Sequence, residues 1–403
     1  MKLMIRKLIP QEVINLLWHL PKAIYANIKY GFSSNNLTII GVTGTDGKTT
    51  TVNMIYRILK DNGKKVSMLS TINAVIGEKN YDTGFHVTSP DPLLVQDFIS
   101  QAVKAGSEYM ILEVTSHAID QFRFWGIRFN IGVITNVTHE HLDYHRTFEN
   151  YLNTKLDILK KSDLSVVNIN LLQNVRRSFK KMKSITTFGL NNGDYNQKII
   201  NLDISLPGEY NIENGLAAIA ATSLLGIDIE SAKRTLSEFT NLTGRMDEIK
   251  NKKGIKVFVD FAHTPNALEN VLRTLRKQTN GKLIAVFGSA GKRDVQKRPK
   301  MAEIGIRYAD ASIITSEDPR GEWDMIVQEM EHGAIKAGGK IDKDYFIVQD
   351  RQQAIDFAIK LAKKGDIVGV FGKGHEQSMN LDGKRELSWS DKKAVDKSLS
   401  NGR

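Results

Sequence analysis

A glycine-rich run at residues 41–50 is the strongest candidate for chemistry in this sequence, and it reads Gly-Val-Thr-Gly-Thr-Asp-Gly-Lys-Thr-Thr. It follows a β-prone run and precedes a helix-like stretch, which is the context of a phosphate-binding loop. Glycines let backbone N–H groups approach phosphate oxygens, and a helix amino end adds positive potential. We expect Lys48 to reach the β- and γ-phosphates of a nucleotide and Thr49 to offer its hydroxyl to Mg²⁺. The residues assigned to the nucleotide are Gly44, Thr45, Asp46, Gly47, Lys48, Thr49 and Thr50.

Two further polar runs carry candidate metal ligands. Glu113 follows a β-prone run at residues 109–112. A carboxylate at the carboxyl end of a parallel strand lies beside such a loop, and its oxygens suit Mg²⁺. Residues 139–145 hold three histidines and two acids, which suits a metal or phosphate site. From the residues alone, zinc and magnesium both remain open for this second run.

Strands alternating with helices must position these residues, and that alternation predicts an α/β fold with parallel sheets. Strands are predicted at residues 37–42, 109–114, 131–136, 166–168, 256–260, 283–288, 311–315 and 367–371. Helices are predicted at residues 50–62 and 266–279. We place a boundary near residues 241–245, which predicts an N-terminal segment (1–36), a central domain (37–241) and a C-terminal domain (242–403).

Composition narrows the class of protein. The chain has 403 residues, a formal net charge of +11 and no cysteine. Without cysteine no disulfide forms, which fits a reducing cytoplasm. The charge favours anionic partners such as nucleotides, phosphorylated precursors, nucleic acid or an anionic membrane, although solvated lysines explain it equally well. We expect neither a membrane span nor a secretory signal, because no apolar run approaches about 20 residues.

Residues 1–36 form a distinct basic segment. Val13, Leu17, Tyr25 and Ile28 belong to a set of apolar residues that recur at helical spacing, and five basic residues face one acid, Glu12. Such a helix can lie on a membrane surface. It can equally be packed on the body of the protein, and the sequence leaves both interpretations open.

The loop pattern G-x-x-G-x-x-G-K-T-T resembles the ATP loop of the Mur ligase family, which also includes folylpolyglutamate synthetases. Residues 113–123 resemble the E-V-S-S-H and Q-x-R motifs of its tripeptide-forming members, and residues 371–376 resemble their G-K-G-H-E. The resemblance covers residues 37 to about 391. It implies a P-loop central ATPase domain with a parallel-rich sheet and a C-terminal Rossmann-like domain. It also implies that ATP phosphorylates a carboxylate, and that an amine then displaces the phosphate from this acyl phosphate.

By this resemblance, Glu113 is a Mg²⁺ ligand and His141 binds a second Mg²⁺. The matching lysine in the family, here Lys155, is carbamylated by CO₂, which converts a cation into an oxygen ligand. The catalytic set is therefore Lys48, Glu113, His141 and Lys155, and the metal set is Thr49, Glu113, His141 and Lys155.

The resemblance also implies nucleotide and substrate contacts. Asn214 would hydrogen-bond adenine, Arg245 would contact phosphate and Asp260 the ribose after the C-terminal domain closes. Asn211 is alternatively a helix cap. Ser116, Gln121 and Arg123 would hold the anionic acceptor peptide. The remaining substrate-binding residues are Arg298, Asp318, Arg320, Gly372 and Glu376.

The added amino acid is left open between diaminopimelate and lysine. In the family, the arginine matching Arg320 grips the second carboxylate of diaminopimelate. Two acids, Glu317 and Asp318, replace the usual Asp and Asn before it, and extra acids suit a cationic amino group.

Family members normally carry a uridine-nucleotide-binding domain of about one hundred residues before the loop, and some forty residues are too few for it. We therefore expect the acceptor to be gripped by the central domain alone or to be lipid-linked. The predicted function is an ATP-dependent ligase that adds an amino acid to a peptidoglycan-precursor peptide. We expect a cytoplasmic monomer that binds no nucleic acid, with peripheral membrane contact through residues 1–36. The alternatives are a folylpolyglutamate-type ligase and a non-catalytic, membrane-recruited nucleotide-binding protein.

Overall fold

The protein, seen in a computed structural model, is described at residues 10–82, 89–179, 184–240 and 242–400, and it divides into two compact units. Unit 1 comprises Met1–Val137, Thr147–Ser205 and Tyr210–Phe239. Unit 2 comprises Thr138–Arg146, Leu206–Glu209 and Thr240–Arg403. The short stretch Thr138–Arg146, which contains the histidine-rich run, therefore belongs to unit 2.

Within the described residues the strands alternate with helices along most of the chain. In chain order the strands are β1 (Thr38–Thr43), β2 (Val66–Leu69), β3 (Asn73–Ile76), β4 (Lys79–Asp82), β5 (Tyr109–Glu113), β6 (Phe129–Ile134), β7 (Ser162–Asn168), β8 (Ile185–Gly189), β9 (Tyr195–Asn196), β10 (Asp247–Glu248), β11 (Lys256–Asp260), β12 (Leu283–Phe287), β13 (Ala311–Ile314), β14 (Tyr345–Ile347), β15 (Ile367–Phe371), β16 (Ser378–Asn380) and β17 (Glu386–Ser388).

The α-helices of the same residues are α1 (Gln11–Ile14), α2 (Leu20–Lys29), α3 (Lys48–Asp61), α4 (Pro92–Lys104), α5 (Ser116–Asp120), α6 (Leu142–His145), α7 (Phe148–Lys160), α8 (Leu172–Ser178), α9 (Gln197–Ile200), α10 (Glu209–Ser223), α11 (Ile229–Ser237), α12 (Pro265–Arg276), α13 (Lys297–Tyr308), α14 (Trp323–Lys336), α15 (Arg351–Leu361) and α16 (Asp391–Ser400). A π-helical stretch, Asn15–His19, joins α1 to α2.

Unit 1 is built on a sheet whose strand order, among the described residues, is β4-β3-β2-β5-β1-β6-β7-β8-β9. β3 pairs antiparallel with both β4 and β2, and the pairings from β2 onward through β5, β1, β6, β7 and β8 to β9 are parallel. β1 is central, and its register places Val42 opposite Glu113 and Thr43 opposite Ile134. The carboxyl ends of β1, β5 and β6 therefore meet at one edge, where ligands bind in open α/β sheets.

The core of unit 1 explains why its central strands are apolar runs. Ile39, Ile40 and Val42 on β1 are all fully buried, although alternate residues of a strand point to opposite faces. A parallel sheet covered by helices on both faces requires this near-continuous apolar pattern. These strands could be predicted from sequence for that reason.

The N-terminal helices pack on unit 1 through one face. Asn15 Nδ2 donates to Asp120 Oδ2 at 2.7 Å, and Asn27 Nδ2 donates to the Trp125 carbonyl at 2.7 Å. Ala23 and Ala26 are fully buried on the same face. The expectation of a helix packed on the body is thereby supported, while large apolar side chains remain exposed on its other face. No helix in the described residues is long and apolar enough to cross a membrane.

Unit 2 is built on a second α/β sheet. Its strand order in the described residues is β10-β11-β15-β12-β13-β14, with β10 antiparallel to β11 and the pairings from β11 to β14 parallel. β16 and β17 form a separate antiparallel pair. The predicted α/β class, with a parallel-rich sheet in each part, is confirmed.

Individual element predictions differ from the structure in a few places. The predicted strands lie within one or two residues of β1, β5, β6, β11, β12, β13 and β15, and β7 is longer than expected. The sequence analysis missed the short strands β2, β3, β4, β8, β9, β10, β14, β16 and β17. The cap interpretation of Asn211 is wrong, because α10 begins at Glu209 and Asn211 is buried within it.

An ion pair between α15 and α16 is fully buried in unit 2. Arg351 Nε and Nη2 donate to the two carboxylate oxygens of Asp391, both at 2.7 Å, and neither side chain is exposed. Arg351 also donates to the carbonyls of Ser316 and Phe371, and Trp389 Nε1 donates to Asp391. The pair therefore anchors the last helix to the ends of β13 and β15.

Asp391→Ala is expected to lower the free energy of unfolding by about 3–5 kcal/mol, because it leaves a buried guanidinium without its anion. Urea denaturation followed by circular dichroism measures this loss. Asp396→Ala, at an exposed position of the same helix, is the matched control and should change stability by less than about 0.5 kcal/mol. Equal stability of the two variants would contradict a stabilising role for the pair.

Candidate functional site

The glycine-rich loop connects the carboxyl end of β1 to the first turn of α3. Gly47 has a φ of 80°, and α3 begins at Lys48. A Cβ added at Gly47 would lie 2.2 Å from Asn214 Oδ1, and one added at Gly44 would lie 1.8 Å from Thr135 Oγ1. Side chains are therefore excluded at both glycines. Lys48 Nζ donates to the Thr45 carbonyl at 2.8 Å, so the lysine folds over the loop.

Two residues after β6 hold the loop in place. Thr45 N and Asp46 N donate to the carbonyl and side-chain oxygens of Asn136 at 2.8 and 2.9 Å. Thr135 Oγ1 donates to the Asp46 carbonyl at 2.6 Å. The loop is thus hydrogen-bonded to a neighbouring strand end, which preorganises its backbone before any ligand binds.

Glu113, at the end of β5, is a buried carboxylate beside the start of α3. Thr49 Oγ1 lies 3.0 Å from each of its oxygens, and Thr71 N donates to Oε2 at 2.9 Å. The Glu113 side chain and the Thr49 hydroxyl therefore form one oxygen cluster at the loop. Oxygen ligands of this kind are those that Mg²⁺ prefers.

Lys155, on α7, also reaches the loop. Its Nζ donates to the Gly44 carbonyl at 2.6 Å and lies 4.7 Å from the centre of the Tyr151 ring. Only 2% of Lys155 is exposed, and Tyr151 OH lies 3.0 Å from Thr45 Oγ1. A lysine on a helix distant in sequence is thus brought to the phosphate loop, which spacing alone could not establish.

Asn214, predicted to contact adenine, lies against the same loop. Its Oδ1 accepts from Thr51 Oγ1 at 3.4 Å, and Asn211 Oδ1 accepts from its Nδ2 at 3.3 Å. Both asparagines are buried. The structure therefore brings Asn214 to Gly47 and α3, and its contact with adenine stays a prediction.

The predicted acceptor residues follow β5 in unit 1. Ser116 is buried at the first position of α5. Arg123 donates to Gln121 Oε1 from Nη2 at 2.7 Å and to the Ser89 carbonyl from Nη1. The Ser89 hydroxyl in turn donates a hydrogen bond to the Glu113 carbonyl and accepts one from Thr115 N. These contacts tie the Gln121–Arg123 pair to the strand end that carries Glu113.

His141, the predicted ligand of a second metal ion, lies on the segment that belongs to unit 2. It has a φ of 57° and precedes α6. Next to it, Glu140 pairs with Lys297 at 3.3 Å, and both side chains are buried. Among the described residues, no group of three His, Cys, Asp or Glu side chains could hold a metal ion. The predicted metal-binding set is not a group of this type, because two of its four ligands are Thr49 and a carbamylated lysine.

Arg245 and Asp260 lie close to one another in unit 2. Asp260 accepts from Met246 N at 2.6 Å and from Ala262 N at 2.8 Å, and it is buried. The Arg245 guanidinium carbon lies 4.6 Å from the centre of the Phe261 ring. Both residues therefore belong to one loop cluster, and their contacts with nucleotide stay predictions.

The predicted amino-acid residues form a charged cluster at the ends of β13 and β15. Asp318 pairs with Arg320 at 3.2 Å and with Lys373 at 3.0 Å. Lys373 also pairs with Glu376. Although burial lowers the pKa of Lys373, the carboxylates of Glu376 and Asp318 outweigh it and raise that pKa. Lys373 therefore stays charged and links the two predicted acids.

Glu317 and His375 are buried titratable groups beside this cluster. Burial raises the pKa of Glu317 to about 7 against the opposing charges of Lys297 and Lys373. A Cβ added at Gly372, which has a φ of 109°, would lie 2.7 Å from Glu317 Oε2. Burial also lowers the pKa of His375 to about 3, so its ring is neutral. Gly372 thus leaves room for the Glu317 carboxyl.

Arg298 differs from the other predicted substrate residues, because its guanidinium is wholly buried. It pairs with Glu329 at 2.8 Å and with Glu322 at 3.1 Å, and it donates to the Ala290 carbonyl at 3.3 Å. These contacts join α13 to α14. A substrate role for Arg298 stays a prediction.

Sequence reasoning did not single out several residues that shape the site. Thr135 and Asn136 were included only as the end of a predicted strand, and Lys373 only inside G-K-G-H-E. Ser89 and Tyr151 gave no recognisable signal. Only the signal for Lys373, a lysine between two glycines after an apolar strand, was readable in advance.

Comparison with known proteins places the chain in a family. Residues 42–222 match the Mur ligase middle domain, and residues 244–374 match the glutamate ligase domain of Mur ligases. The UDP-N-acetylmuramoyl-L-alanyl-D-glutamate–2,6-diaminopimelate ligase of Clostridium tetani (strain Massachusetts / E88) is 38% identical over 88% of this chain and 76% of its own length. The UDP-N-acetylmuramyl-tripeptide synthetase of Borreliella burgdorferi (strain ATCC 35210 / DSM 4680 / CIP 102532 / B31) is 36% identical over 92% of this chain and 78% of its own.

Solved structures agree with this assignment. A UDP-N-acetylmuramoyl-L-alanyl-D-glutamate–2,6-diaminopimelate ligase aligns with a TM-score of 0.58 and 29% identity, over 91% of this chain and 78% of that one. MurF ligase from Thermotoga maritima in complex with ADP aligns with a TM-score of 0.66 and 20% identity, over 95% and 83%, and shows the shared fold. This chain therefore belongs to the Mur ligase family of ATP-dependent acid–amino-acid ligases.

Proposed function

We propose that this chain uses ATP to join a diamino acid of the diaminopimelate class to the terminal carboxylate of a muramoyl-dipeptide-type precursor of peptidoglycan. The observation that carries the proposal is the buried Glu113 carboxylate, 3.0 Å from the Thr49 hydroxyl at the start of the loop helix. This arrangement, with Lys48 on the same turn, suits phosphoryl transfer to a carboxylate. The curated relatives cited above, a diaminopimelate ligase and a tripeptide synthetase whose names both contain a UDP-linked muramic acid, support the choice of substrate.

The residues of unit 1 would act mainly by positioning and by charge. In phosphoryl transfer, negative charge spreads over the moving group, and cations fixed nearby stabilise it. Lys48 supplies one such cation. The acceptor carboxylate would become an acyl phosphate, and the attack of the amine would release inorganic phosphate. Gln121 and Arg123 are the proposed contacts of the anionic acceptor.

The oxygen cluster of Thr49 and Glu113 fits Mg²⁺ by its chemistry. A carboxylate beside bound phosphates is unfavourable unless a cation lies between them, and Mg²⁺ is usually held by one or two carboxylates together with phosphate oxygens. When bound, the ion would neutralise charge on the phosphates. We keep His141 and a carbamylated Lys155 as further ligands in this proposal.

The charged cluster at the ends of β13 and β15 in unit 2 is the proposed amino-acid site. Arg320 offers a guanidinium suited to a carboxylate, and Asp318 and Glu376 offer carboxylates suited to ammonium groups. Diaminopimelate carries both kinds of group at its far end, whereas lysine carries only the ammonium. The name of the Clostridium tetani relative favours diaminopimelate.

Several sequence-based expectations stay part of the proposal. These are a cytoplasmic location, a monomeric state, the absence of nucleic-acid binding, and domain divisions after residues 36 and 241. The rival functions, a folylpolyglutamate-type ligase and a non-catalytic nucleotide binder, differ from the proposal in which acceptor and amino acid stimulate phosphate release.

Replacing Lys48 tests the proposed activity directly. Lys48→Ala is expected to lower phosphate release that depends on both acceptor peptide and diaminopimelate by about 100-fold or more, because a cation at the transferring phosphoryl is lost. A malachite-green assay with diaminopimelate, lysine and glutamate measures it. Lys60→Ala, at an exposed position of the same helix, should retain full rate. Undiminished amide formation by Lys48→Ala would refute the proposal.

Carbamylation of Lys155 has a readout that does not depend on activity. In ¹³C-bicarbonate buffer, the wild-type protein is expected to show a carbamate carbon resonance that Lys155→Ala lacks. Lys160→Ala, at an exposed position of the same helix, should keep the resonance. A spectrum identical for the wild type and Lys155→Ala would remove the modified lysine from the proposed metal site.

Glu317 predicts a pH dependence of amino-acid binding. Its carboxyl, with a pKa of about 7, is neutral below that pH and anionic above it. An anion attracts the ammonium group of the incoming amino acid. Between about pH 6 and about pH 8, the KM of the wild type for diaminopimelate should therefore fall more than the KM of Glu317→Gln does. The expected difference is about fivefold, which corresponds to roughly 1 kcal/mol of binding free energy.

The same pKa shift also affects stability. A carboxyl whose folded-state pKa exceeds its ordinary value of 4.5 destabilises the fold as pH rises from about 4.5 to about 7. Glu317→Gln should therefore gain stability relative to the wild type across that window, as measured by urea denaturation. Glu248→Gln, at an exposed position on β10, is the control for loss of charge. Parallel pH profiles for all three proteins would contradict the raised pKa.

A further inference from the structure

Among the described residues, seven large apolar side chains are exposed along the N-terminal helices and the turn that follows them. They fall into two groups, at residues 13–18 and 25–32, and within the helices spacings of three and four residues place members of each group on a common face. Leu17 is 75% exposed and Trp18 is 67% exposed. The apolar stripe comprises Val13, Leu16, Leu17, Trp18, Tyr25, Ile28 and Phe32.

The opposite face of these helices is fixed to unit 1. Besides the bonds from Asn15 and Asn27, Lys22 pairs with Asp91 at 2.5 Å, before α4. A Cβ added at Gly126 would lie 2.6 Å from Asn27 Oδ1, so the helix and the body are in close contact there. The stripe therefore cannot turn inward without breaking these contacts. Exposed apolar surface of this extent marks an interaction site.

A basic surface lies on unit 1 beside the place where the N-terminal helices contact it. Gly126, which touches Asn27, also lines a cavity of about 680 Å³ together with Arg128, Lys160 and Lys161. Arg176 and Arg177 end α8 close by, since Phe179 lines the same cavity. Asp157 and Asp163 pair with two of these five cations, which leaves a net positive surface. Within residues 1–36, five basic residues accompany one acid.

We propose that the apolar stripe docks on an anionic lipid bilayer. An apolar helix face accompanied by basic residues lies in the boundary between headgroups and acyl chains, with the cations on the acidic headgroups. Trp18 and Tyr25 are the residue types that favour this boundary. A second copy of the chain fits less well, because a symmetric contact would bring like-charged surfaces together.

The helix also runs toward the proposed acceptor site. Asn15 bonds Asp120, and the next residues, Gln121 and Phe122, lead to Arg123. The stripe therefore begins beside the segment that would hold the acceptor peptide. Docking would hold that segment near the bilayer, where a lipid-linked acceptor would be presented. This last step rests on the proposed function, whereas membrane binding itself does not.

Vesicle sedimentation of the full chain tests the proposal. Wild-type protein is expected to pellet with vesicles of phosphatidylglycerol and phosphatidylcholine, to bind pure phosphatidylcholine weakly, and to lose binding as salt increases. Leu17→Glu and Trp18→Glu should each lower the partition coefficient on anionic vesicles about tenfold. Ile199→Glu is the matched control, because Ile199 is 66% exposed in unit 1 but outside the stripe, and it should bind as the wild type does.

Three results would overturn the proposal. One is the absence of wild-type binding to anionic vesicles at low salt, and another is equal binding by the Leu17 and Trp18 variants. The third is a wild-type dimer in sedimentation velocity that Leu17→Glu dissociates without any vesicle binding, which would assign the stripe to a second copy. Thermal unfolding and phosphate release with soluble acceptor should be unchanged in the variants. Failure of membrane docking is thus distinguishable from failure of the ligase proposal.

Discussion

The burial of the Glu113 carboxylate is the constraint on which the loop end of unit 1 depends. A buried carboxylate is costly unless hydrogen bonds compensate for the lost water. The Thr49 hydroxyl and the Thr71 N–H provide such bonds, and in doing so they fix the start of α3 against the end of β5. Lys48 precedes Thr49, so its backbone position follows from the same contact. A carboxylate held this close to a phosphate loop would repel phosphate, which is the physical case for a divalent cation between them.

In unit 2 the buried arginine and lysine side chains form ion pairs, whereas Glu113 of unit 1 is compensated by hydrogen bonds from neutral groups. Arg351, Arg298 and Lys373 are each nearly or wholly removed from solvent, and each is paired with carboxylates. Buried ion pairs contribute little net stability because desolvation offsets their attraction, but a pair with one partner removed is strongly destabilising. They therefore penalise alternative arrangements of the loops they join. The loops after β13 and β15, which carry the proposed amino-acid residues, are held in this way.

The sequence predicted those parts of the fold whose signal is local. The central strands of both units, among them β1, β5 and β6, are apolar runs because helices cover both faces of each sheet. The loop at residues 41–50 is recognisable by its glycines. β4, at the edge of the sheet, and its neighbour β3 are short and partly polar, so no local pattern marked them. Other contacts depend on which strands and helices become neighbours. These are the hydrogen bonds of Thr135 and Asn136 to the loop and the hydrogen bond of Lys155 to the Gly44 carbonyl. The family resemblance pointed to Lys155, but only the fold brings it to the loop.

The amphipathic pattern of the N-terminal helices allowed two interpretations, packing on the body of the protein and lying on a membrane. The structure shows why these two interpretations need not exclude one another. A helix of this length has enough surface for two functions when its small and polar residues face the body and its large apolar residues face outward. Ala23, Ala26 and Asn27 are buried and allow close approach to unit 1, while Leu17, Trp18 and Ile28 remain mostly exposed. If packing on the body were the whole role of this segment, the large apolar residues would be expected on the buried face, where their transfer from water stabilises the fold. Their outward placement forgoes that stabilisation, which is the physical reason to assign the exposed face to a partner.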